Sequence, residues 1–409
     1  MKKILLPFMM LLFMSLMACS DDNDASVTPN DRKDIVLSRS ETQMATENVK
    51  FAFALFNKMN ELETEKPNWM VSPFSASVAL SMIANGTDGN TLTELQNVLG
   101  LSDFSLEEMN EYNRKLNVEL PYLDNTTKLC VANSIWADKE IDMYGSFINT
   151  NKDVYDAQIS TLDFSLPNAL ENINSWCAKQ TENTIPEILD DMPEGVKVCF
   201  LNTLYFKGTW KEKFSESATE NETFYCMDGQ QHLVKMMKQT EDFYYCDNKT
   251  FAMAEFPYGN EAFSMIVLLP HEDKTLEETL QEFTVDYWTE IEMSKKELNV
   301  CFPRFEMNYE ADLIQVMRSL GVSDIFDEGK ADFSRLSSIP MYLNLLKQAT
   351  YIKVDEKGTE AAAVSVGTGM FGDSEPAKTI DFFMNRPFAF LIKEKSTGNI
   401  LFMGKVTAL

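Results

Sequence analysis

Apolar residues recur at helical spacing between Met44 and Met59, where Phe51, Leu55, Phe56 and Met59 share one face, and this predicts an amphipathic helix. Thr91-x-x-Glu94, Ser105-x-x-Glu108 and Thr275-x-x-Glu278 have the spacing of capping boxes, in which hydroxyl and carboxylate satisfy free backbone N–H groups, so each predicts a helix start. Gly86, Gly100 and Gly321 stand where helices should stop. Runs rich in Val, Ile, Phe and Tyr predict strands at 128–136, 197–206, 297–305 and 349–355. Residues 224–269 read as a meander turning at Asp228-Gly229 and Tyr258-Gly259-Asn260. A last hairpin joins Phe388–Ile392 to Ile400–Val406 through Thr397-Gly398-Asn399. Helices early and hairpins late predict an α+β fold with largely antiparallel sheets.

The first residues follow a different pattern. Met1-Lys2-Lys3 precedes an apolar run, Ile4 to Met17, that is short for a spanning helix and reads as a secretory leader. The run closes Leu16-Met17-Ala18-Cys19, which resembles the lipobox of bacterial lipoproteins. The resemblance implies a signal peptide over 1–18, with Cys19 as the lipidated first residue, anchored to a membrane rather than spanning it. The acidic Ser20-Asp21-Asp22-Asn23-Asp24 resembles the surface-export signal of Bacteroidetes lipoproteins, implying outer-membrane anchoring and surface exposure. Residues 19–40 then form a flexible acidic tether.

Composition removes several function classes. The 409 residues carry 36 Lys+Arg against 63 Asp+Glu, a formal charge of −27 with no basic block, which argues against nucleic acid and heparin-like polyanions. Two His cannot build a three-His zinc site, and the six later cysteines, at 130, 177, 199, 226, 246 and 301, show no C-x-x-C spacing. They read as buried unbridged thiols among apolar neighbours. No metal or cofactor is expected. G-x-S-x-G, H-E-x-x-H and phosphate-loop motifs are absent. Gly367-Thr-Gly369-Met-Phe-Gly372 matches G-x-G-x-x-G, but the acidic, Pro-broken Asp373-Ser-Glu375-Pro376 follows where a helix would be needed. His232 and His271 sit in polar surroundings and read as surface residues.

The unusual segment is 355–379. Its alternate residues Thr359, Ala361, Ala363, Ser365, Gly367 and Gly369 are all small and uncharged. One uniformly small face lets a segment enter a packed sheet without clash or buried charge. A plain linker has no need of that pattern.

Lys353-Val-Asp-Glu356-Lys-Gly358-Thr359-Glu-Ala361-Ala362-Ala363 resembles the hinge of the serpins, the serine protease inhibitors. Val71-Ser72-Pro-Phe-Ser75, Ala132-Asn-Ser-Ile-Trp136, Asn202-Thr-Leu-Tyr-Phe-Lys-Gly-Thr-Trp210, Arg386-Pro-Phe-Ala-Phe-Leu-Ile392 and Leu401-Phe-Met-Gly404 fit the family too, in family order over roughly 45–409. The resemblance implies one domain over 41–409: three mainly antiparallel sheets, eight or nine helices and an exposed reactive-centre loop at about 356–380. It implies a suicide substrate rather than an enzyme. A serine protease acylates itself on the loop, the freed hinge inserts into the main sheet, and the dragged protease stalls. Cysteine proteases are possible further targets, and a monomer is expected.

By the same resemblance Glu356, Gly358 and Thr359 form the hinge, with Ala361, Ala362 and Ala363 as its small stretch. Ser72, Ser75 and Asn202 match the shutter, Gln348 stands where relatives often carry His, and Trp210 should sit where insertion starts. The scissile bond is expected about 16 residues past the hinge glutamate, at Gly372–Asp373. Bonds after Met370 or Phe371 stay open, since counting back from Arg386-Pro387 gives a later point. No Arg or Lys lies between Lys357 and Lys378, so chymotrypsin-, elastase- or subtilisin-like targets are expected and trypsin-like ones are not. The alternatives are a non-inhibitory serpin fold used for binding or as a chaperone, and a surface substrate-binding lipoprotein.

Overall fold

The computed structural model describes residues 27–359 and 379–409. Among these, the long helices come first: α1 Arg39–Leu62, α2 Pro73–Ala84, α3 Gly89–Val98, α4 Leu106–Glu119, α5 Gly145–Tyr155 and α6 Pro167–Gln180. Three short ones follow, α7 Leu276–Glu282, α8 Val285–Glu290 and α9 Ile314–Ser319. The strands are β1 Trp69–Val71, β2 Thr127–Asp138, β3 Gln158–Leu162, β4 Val198–Thr209, β5 Glu220–Tyr225, β6 Gln231–Asp247, β7 Phe251–Pro257 and β8 Phe263–Pro270. They continue with β9 Ser294–Pro303, β10 Phe305–Asp312, β11 Leu346–Val354, β12 Gly358–Thr359, β13 Ile380–Phe383, β14 Phe388–Glu394 and β15 Ile400–Val406.

The Ser105 and Thr275 boxes cap α4 and α7 as expected. The Thr91 box does not start α3. Asp88 caps that helix three residues earlier by accepting from the Gly89 N–H. Inside the helix, the Thr91 hydroxyl instead accepts from the Asp332 N–H, and Glu94 accepts from the N–H groups of Ser323 and Asp324. Gly86, Gly100 and Gly321 each follow a helix end within two residues. The α1 helix begins before the expected Met44, because Ser38 and Glu41 form a capping box. Part of the stretch assigned to the tether is therefore docked. Ile35 is buried, its N–H donates to Ser396 Oγ at 3.0 Å, and Asn30 pairs with Asn125 and the Leu123 carbonyl.

Two hydrogen-bonded sheets organise the chain. The larger runs β1-β15-β14-β8-β7-β6-β9-β13, with β5 also on β6. It reads as two sub-sheets, because the long β6 pairs β5 over Gln231–Met236 and β9 over Met236–Tyr245, and joins β7 only at its end, over Tyr244–Asp247. Together with the smaller sheet these account for the three sheets expected. The meander and closing hairpin fall within the larger sheet. The strand expected at 297–305 is two strands: Pro303 has no N–H to continue a ladder, so the chain turns at Arg304 from β9 into β10.

The smaller sheet, ordered β10-β11-β4-β2-β3 with β12 added to β4, carries the site. Its inner face meets the main core, in which α2 is buried on every side. Its outer face is covered lower down by a second cluster containing Trp136, Trp176, Cys177, Cys199, Leu201 and Tyr351. All six cysteines after Cys19 are free, and burial pushes the Cys177 and Cys301 thiols up to about 12. Among the described residues no helix is long and apolar enough to cross a membrane, and no cluster of metal-ligating side chains occurs.

Candidate functional site

The parallel strands β11 and β4 pair from Leu346↔Phe200 to Tyr351↔Tyr205 and then separate. Into the opening between their upper ends comes β12, whose Gly358 and Thr359 pair antiparallel with Thr209 and Gly208 of β4. The chain reaches β12 from β11 by a two-residue turn: Asp355 and Gly358 exchange backbone hydrogen bonds at 2.9 and 3.2 Å around Glu356-Lys357. Gly358 is required there. Its φ is +146°, and a Cβ would lie 2.0 Å from the Gly208 carbonyl oxygen.

Four residues, Trp210, Tyr258, Arg304 and Thr219, hold this turn in place. The Trp210 indole N–H donates to the Asp355 carbonyl at 2.9 Å and its backbone N–H to the Lys357 carbonyl at 2.9 Å. The indole stacks on Tyr258 with ring centroids 4.4 Å apart. Tyr258 in turn places its hydroxyl 2.9 Å from Thr359 Oγ1, so Thr359 is already buried, 1% exposed, on the core side of the sheet. Glu356, 2% exposed, accepts from Arg304 Nε at 2.8 Å and Nη2 at 2.5 Å, and from the Thr219 hydroxyl. Burial pushes its carboxyl up, and Arg304 with Thr219 outweighs that, so its pKa lies below the ordinary glutamate value. Next to it Asp355 is raised, chiefly by burial.

Lower in the sheet, three amides form one row: Gln348 of β11, Asn202 of β4 and Asn133 of β2 are register partners. Gln348 clasps the cap of α2, accepting from the Ser72 N–H at 2.7 Å and donating to the Ser72 carbonyl at 2.9 Å. The Ser72 hydroxyl accepts from the Ser75 N–H. Asn202 donates to Asn133 Oδ1 at 2.6 Å, and Asn133 donates to the Tyr155 carbonyl. Among the described residues, Ser75 Oγ and Asn202 Oδ1 are buried without a hydrogen-bond partner. Each such group costs about 1–3 kcal/mol. The closed sheet thus carries instability where β11 and β4 would part.

Glu356, Gly358, Thr359 and Trp210 come together at the upper opening, and Ser72, Ser75, Asn202 and Gln348 gather at the closed row beneath it. Cys19, Ala361, Ala362, Ala363, Met370, Phe371, Gly372 and Asp373 lie outside the described residues, as does the G-x-G-x-x-G match. His271 meets Asp247 at 3.0 Å and the Asn248 carbonyl at 2.9 Å, while His232 reaches the Leu409 carbonyl at 2.6 Å. Both lie away from the opening. Sequence reasoning missed Arg304, Thr219, Tyr258 and Asn133 as site residues. Pro303 before Arg304 is a strand-ending signal that could have set Arg304 apart, and Tyr258 was read only as part of a turn.

Comparison with known proteins bears directly on this arrangement. The profile of the Serpin (serine protease inhibitor) family matches residues 46–409. The chain belongs to the serpin family. It is 33% identical to the human leukocyte elastase inhibitor over 384 residues, covering 90% of this chain and 99% of that one. The leukocyte elastase inhibitor of Xenopus laevis is 32% identical over 373 residues, covering 88% and 97%. Among solved structures, the thermophilic serpin tengpin in its native state superposes with a TM-score of 0.83 at 27% identity, covering 94% of this chain and 98% of its own. Human thyroxine-binding globulin complexed with thyroxine gives 0.82 at 26%, covering 90% and 99%. The residues that the sequence resemblance assigned to the hinge lie at the opening above Tyr205 and Tyr351, and those it assigned to the shutter lie at the amide row. Membership places this serpin among protease inhibitors rather than catalysts.

Proposed function

We propose that this serpin is a suicide-substrate inhibitor of serine endopeptidases with chymotrypsin-, elastase- or subtilisin-like pockets. The observation that carries the reading is β12: the hinge is already seated as the first two residues of a new strand between β4 and β11. The protease serine attacks a bond in the loop, at Gly372–Asp373 or after Met370 or Phe371, and forms the acyl-enzyme. The freed hinge side then continues β12 down the gap, breaking the β11–β4 pairs one by one and replacing them with two ladders. The small alternate residues Ala361, Ala363 and Ser365 can pass the shutter without clash. The protease, tethered to the moving end, loses the geometry that deacylation requires. Relatives named as leukocyte elastase inhibitors support the target class.

Mixing the protein with chymotrypsin or an elastase and running a denaturing gel tests this. A covalent band is expected. Clean loop cleavage with active protease left over would overturn the inhibitory reading and favour a non-inhibitory serpin used for binding.

The second part of the proposal concerns place. Lipid on Cys19 would anchor this serpin to a bacterial outer membrane, displayed at the surface. The chain is docked on Asn125 at Thr28 and Asn30, and the nine residues from Cys19 to Val27 that precede them could span at most about 30 Å. Removing the thiol by Cys19→Ala is expected to abolish acylation and membrane fractionation. A variant that still partitions with membranes would overturn the anchor.

A further inference from the structure

A cavity of about 740 Å³ lies over the opening at the top of the smaller sheet, a volume typical of small-molecule sites. Lys207 of β4, Lys353 of β11 and Lys357 of the turn line it, each half-buried, together with Arg304 and four carboxylates. By count the lining is neutral, so its electrostatics depend on which groups are already engaged. Arg304 and Glu356 hold each other at 2.5 Å. Asp355 accepts from the Lys357 backbone N–H at 2.9 Å. Glu306 is exposed and accepts from the Tyr351 hydroxyl at 2.9 Å, and Glu216 is exposed too, so water screens both. Among the described residues none of the three lysines takes part in an ion pair. Lys353 acts through space on Asp355, and Lys207 on Glu182, which Lys128 and Tyr205 already hold.

Three separate elements bring these lysines together. β11 and β4 last pair at Tyr351↔Tyr205, so Lys353 is level with Lys207 on the opposite side of the gap. Lys357 sits just past the end of β4, where its carbonyl accepts from the Trp210 N–H at 2.9 Å. In a chain with 63 acids against 36 bases, three ammonium groups facing one cavity without an ion pair are unusual. Their mutual repulsion opposes folding here, and local conflicts of that kind are expected at functional sites. The donor set also selects the ligand. The guanidinium fork of Arg304 is committed to Glu356, so a planar carboxylate finds no bidentate partner. Lysines act as point charges that suit the tetrahedral oxygens of phosphate. We propose that this cavity binds a phosphate-bearing small molecule through Lys207, Lys353 and Lys357, and that the bound group ties β4 to β11 across the gap. The tie rests on the loop-insertion reading above, since it matters only if a strand enters there; the binding site does not.

Inorganic phosphate is titrated into the full chain at about pH 8, where it is a dianion, at constant ionic strength with chloride as the balancing ion. Phosphorus NMR line broadening reads the binding. Saturation at millimolar phosphate or below is expected. Lys207→Ala/Lys353→Ala should weaken binding about tenfold or more, the scale of lost charge-assisted contacts, and Lys207→Arg/Lys353→Arg should keep most of it. Lys357→Ala reads the same loss at a single position should the alanine pair fold poorly. Lys238→Ala, whose ammonium pairs with Glu220 and Glu222 instead, should change nothing. The source of the phosphate is separated with Cys19→Ala protein: sedimentation with phosphatidic acid vesicles, competed by free phosphate, assigns a lipid headgroup. Binding of glycerol phosphate without sedimentation assigns a soluble ester. No saturation by about 50 mM phosphate, or equal binding by the alanine pair, overturns the site and leaves the inhibitor reading intact. Saturating phosphate should also raise the number of serpin molecules consumed per protease trapped, in wild type and not in the alanine pair. An unchanged number overturns the tie. Phosphate binding without any trapping overturns the inhibitor reading, while the site stands.

Discussion

The two halves of the β4–β11 interface sit on the same pair of strands and are built from opposite chemistry. At the closed row the strands are hydrogen-bonded to each other and meet the start of α2 through neutral amides and hydroxyls, and among the described residues the Asn202 Oδ1 and Ser75 Oγ atoms there lack a partner. At the hinge the strands have parted, and a charged pair, an aromatic stack and a two-residue turn fill the opening. The comparison teaches where each kind of interaction is useful. An unsatisfied amide oxygen and an unsatisfied hydroxyl make a closed region easier to open without placing a net charge in the path of an incoming strand. An ion pair tied to the turn holds an open region open, because Glu356 is fixed from the side by Arg304 and Thr219 and leaves the gap itself clear.

Thr359→Arg breaks the distinction most severely. The side chain would have to sit against Tyr258 on the core side, and an uncompensated buried charge costs about 3–5 kcal/mol. Acylation far along the loop should stay near normal while insertion slows, so protease is released with cleaved serpin. The check is the molar ratio of inhibitor needed to silence the enzyme, with the cleaved fraction read on a gel. Continued near-equimolar trapping would mean the hinge is misplaced.

Arg304→Leu is next. It strands a buried Glu356 carboxylate. Because Arg304 is 43% exposed, the loss is discounted from the fully buried case to about 2 kcal/mol. The turn should loosen, with faster cutting after Lys357 by trypsin in the native protein. Unchanged cutting would show that Trp210 and Tyr258 alone hold the turn.

Acid gives a smaller effect with a defined sign. Glu356 is depressed in the folded protein, so its contribution is complete above the ordinary value of 4.5 and is lost as pH falls further. Asp355 is raised, and its contribution runs the other way, being lost as pH rises from 3.8 through its folded value. The hinge should therefore hold steady at neutral pH and loosen only in strong acid, partly offset by Asp355. Trypsin sensitivity measured against pH would show it, and loosening near neutrality would contradict it.

The smallest effect tests the shutter. Gln348 cannot titrate, so opening between about pH 8 and pH 5.5 should be flat. Gln348→His should keep the clasp on Ser72 at high pH and weaken it on protonation, when a second N–H would face the Ser72 N–H. Heat-induced polymerisation followed across that range would register the new slope. A slope already present in wild type would place a titrating group elsewhere.

Glu356, Gly358 and Thr359 could be singled out from the sequence, and the side chains that hold them in the structure could not. Gly358, Thr359 and the small run after them announce themselves because strand entry demands small residues over a long contiguous stretch. Ser72, Ser75 and Asn202 follow from family-like blocks. Arg304 and Tyr258 come from strands far away in the chain, and no local pattern tells that a corner after Pro303 will aim a guanidinium at Glu356. The same limit applies to elements. Ser105 and Thr275 cap helices because nothing nearby competes. Thr91 does not, because Asp88 precedes it and the Asp332 N–H claims its hydroxyl.

The two-residue turn between β11 and β12 also bears on how the chain folds. Residues 346–351 must find 200–205, a distant partner, to form the native parallel pair. The loop can fold back on β11 through that turn at once, and local pairing forms faster than non-local pairing. A chain refolding from denaturant would therefore race toward a hairpin that fills the sheet with its own uncut loop. A chain emerging from the ribosome meets the two partners in a different order: β4 is made first and can be waiting, folded on α2, when β11 appears. The yield of active protein should then depend on whether the molecule was synthesised or refolded, with the order of chain growth acting as a folding catalyst.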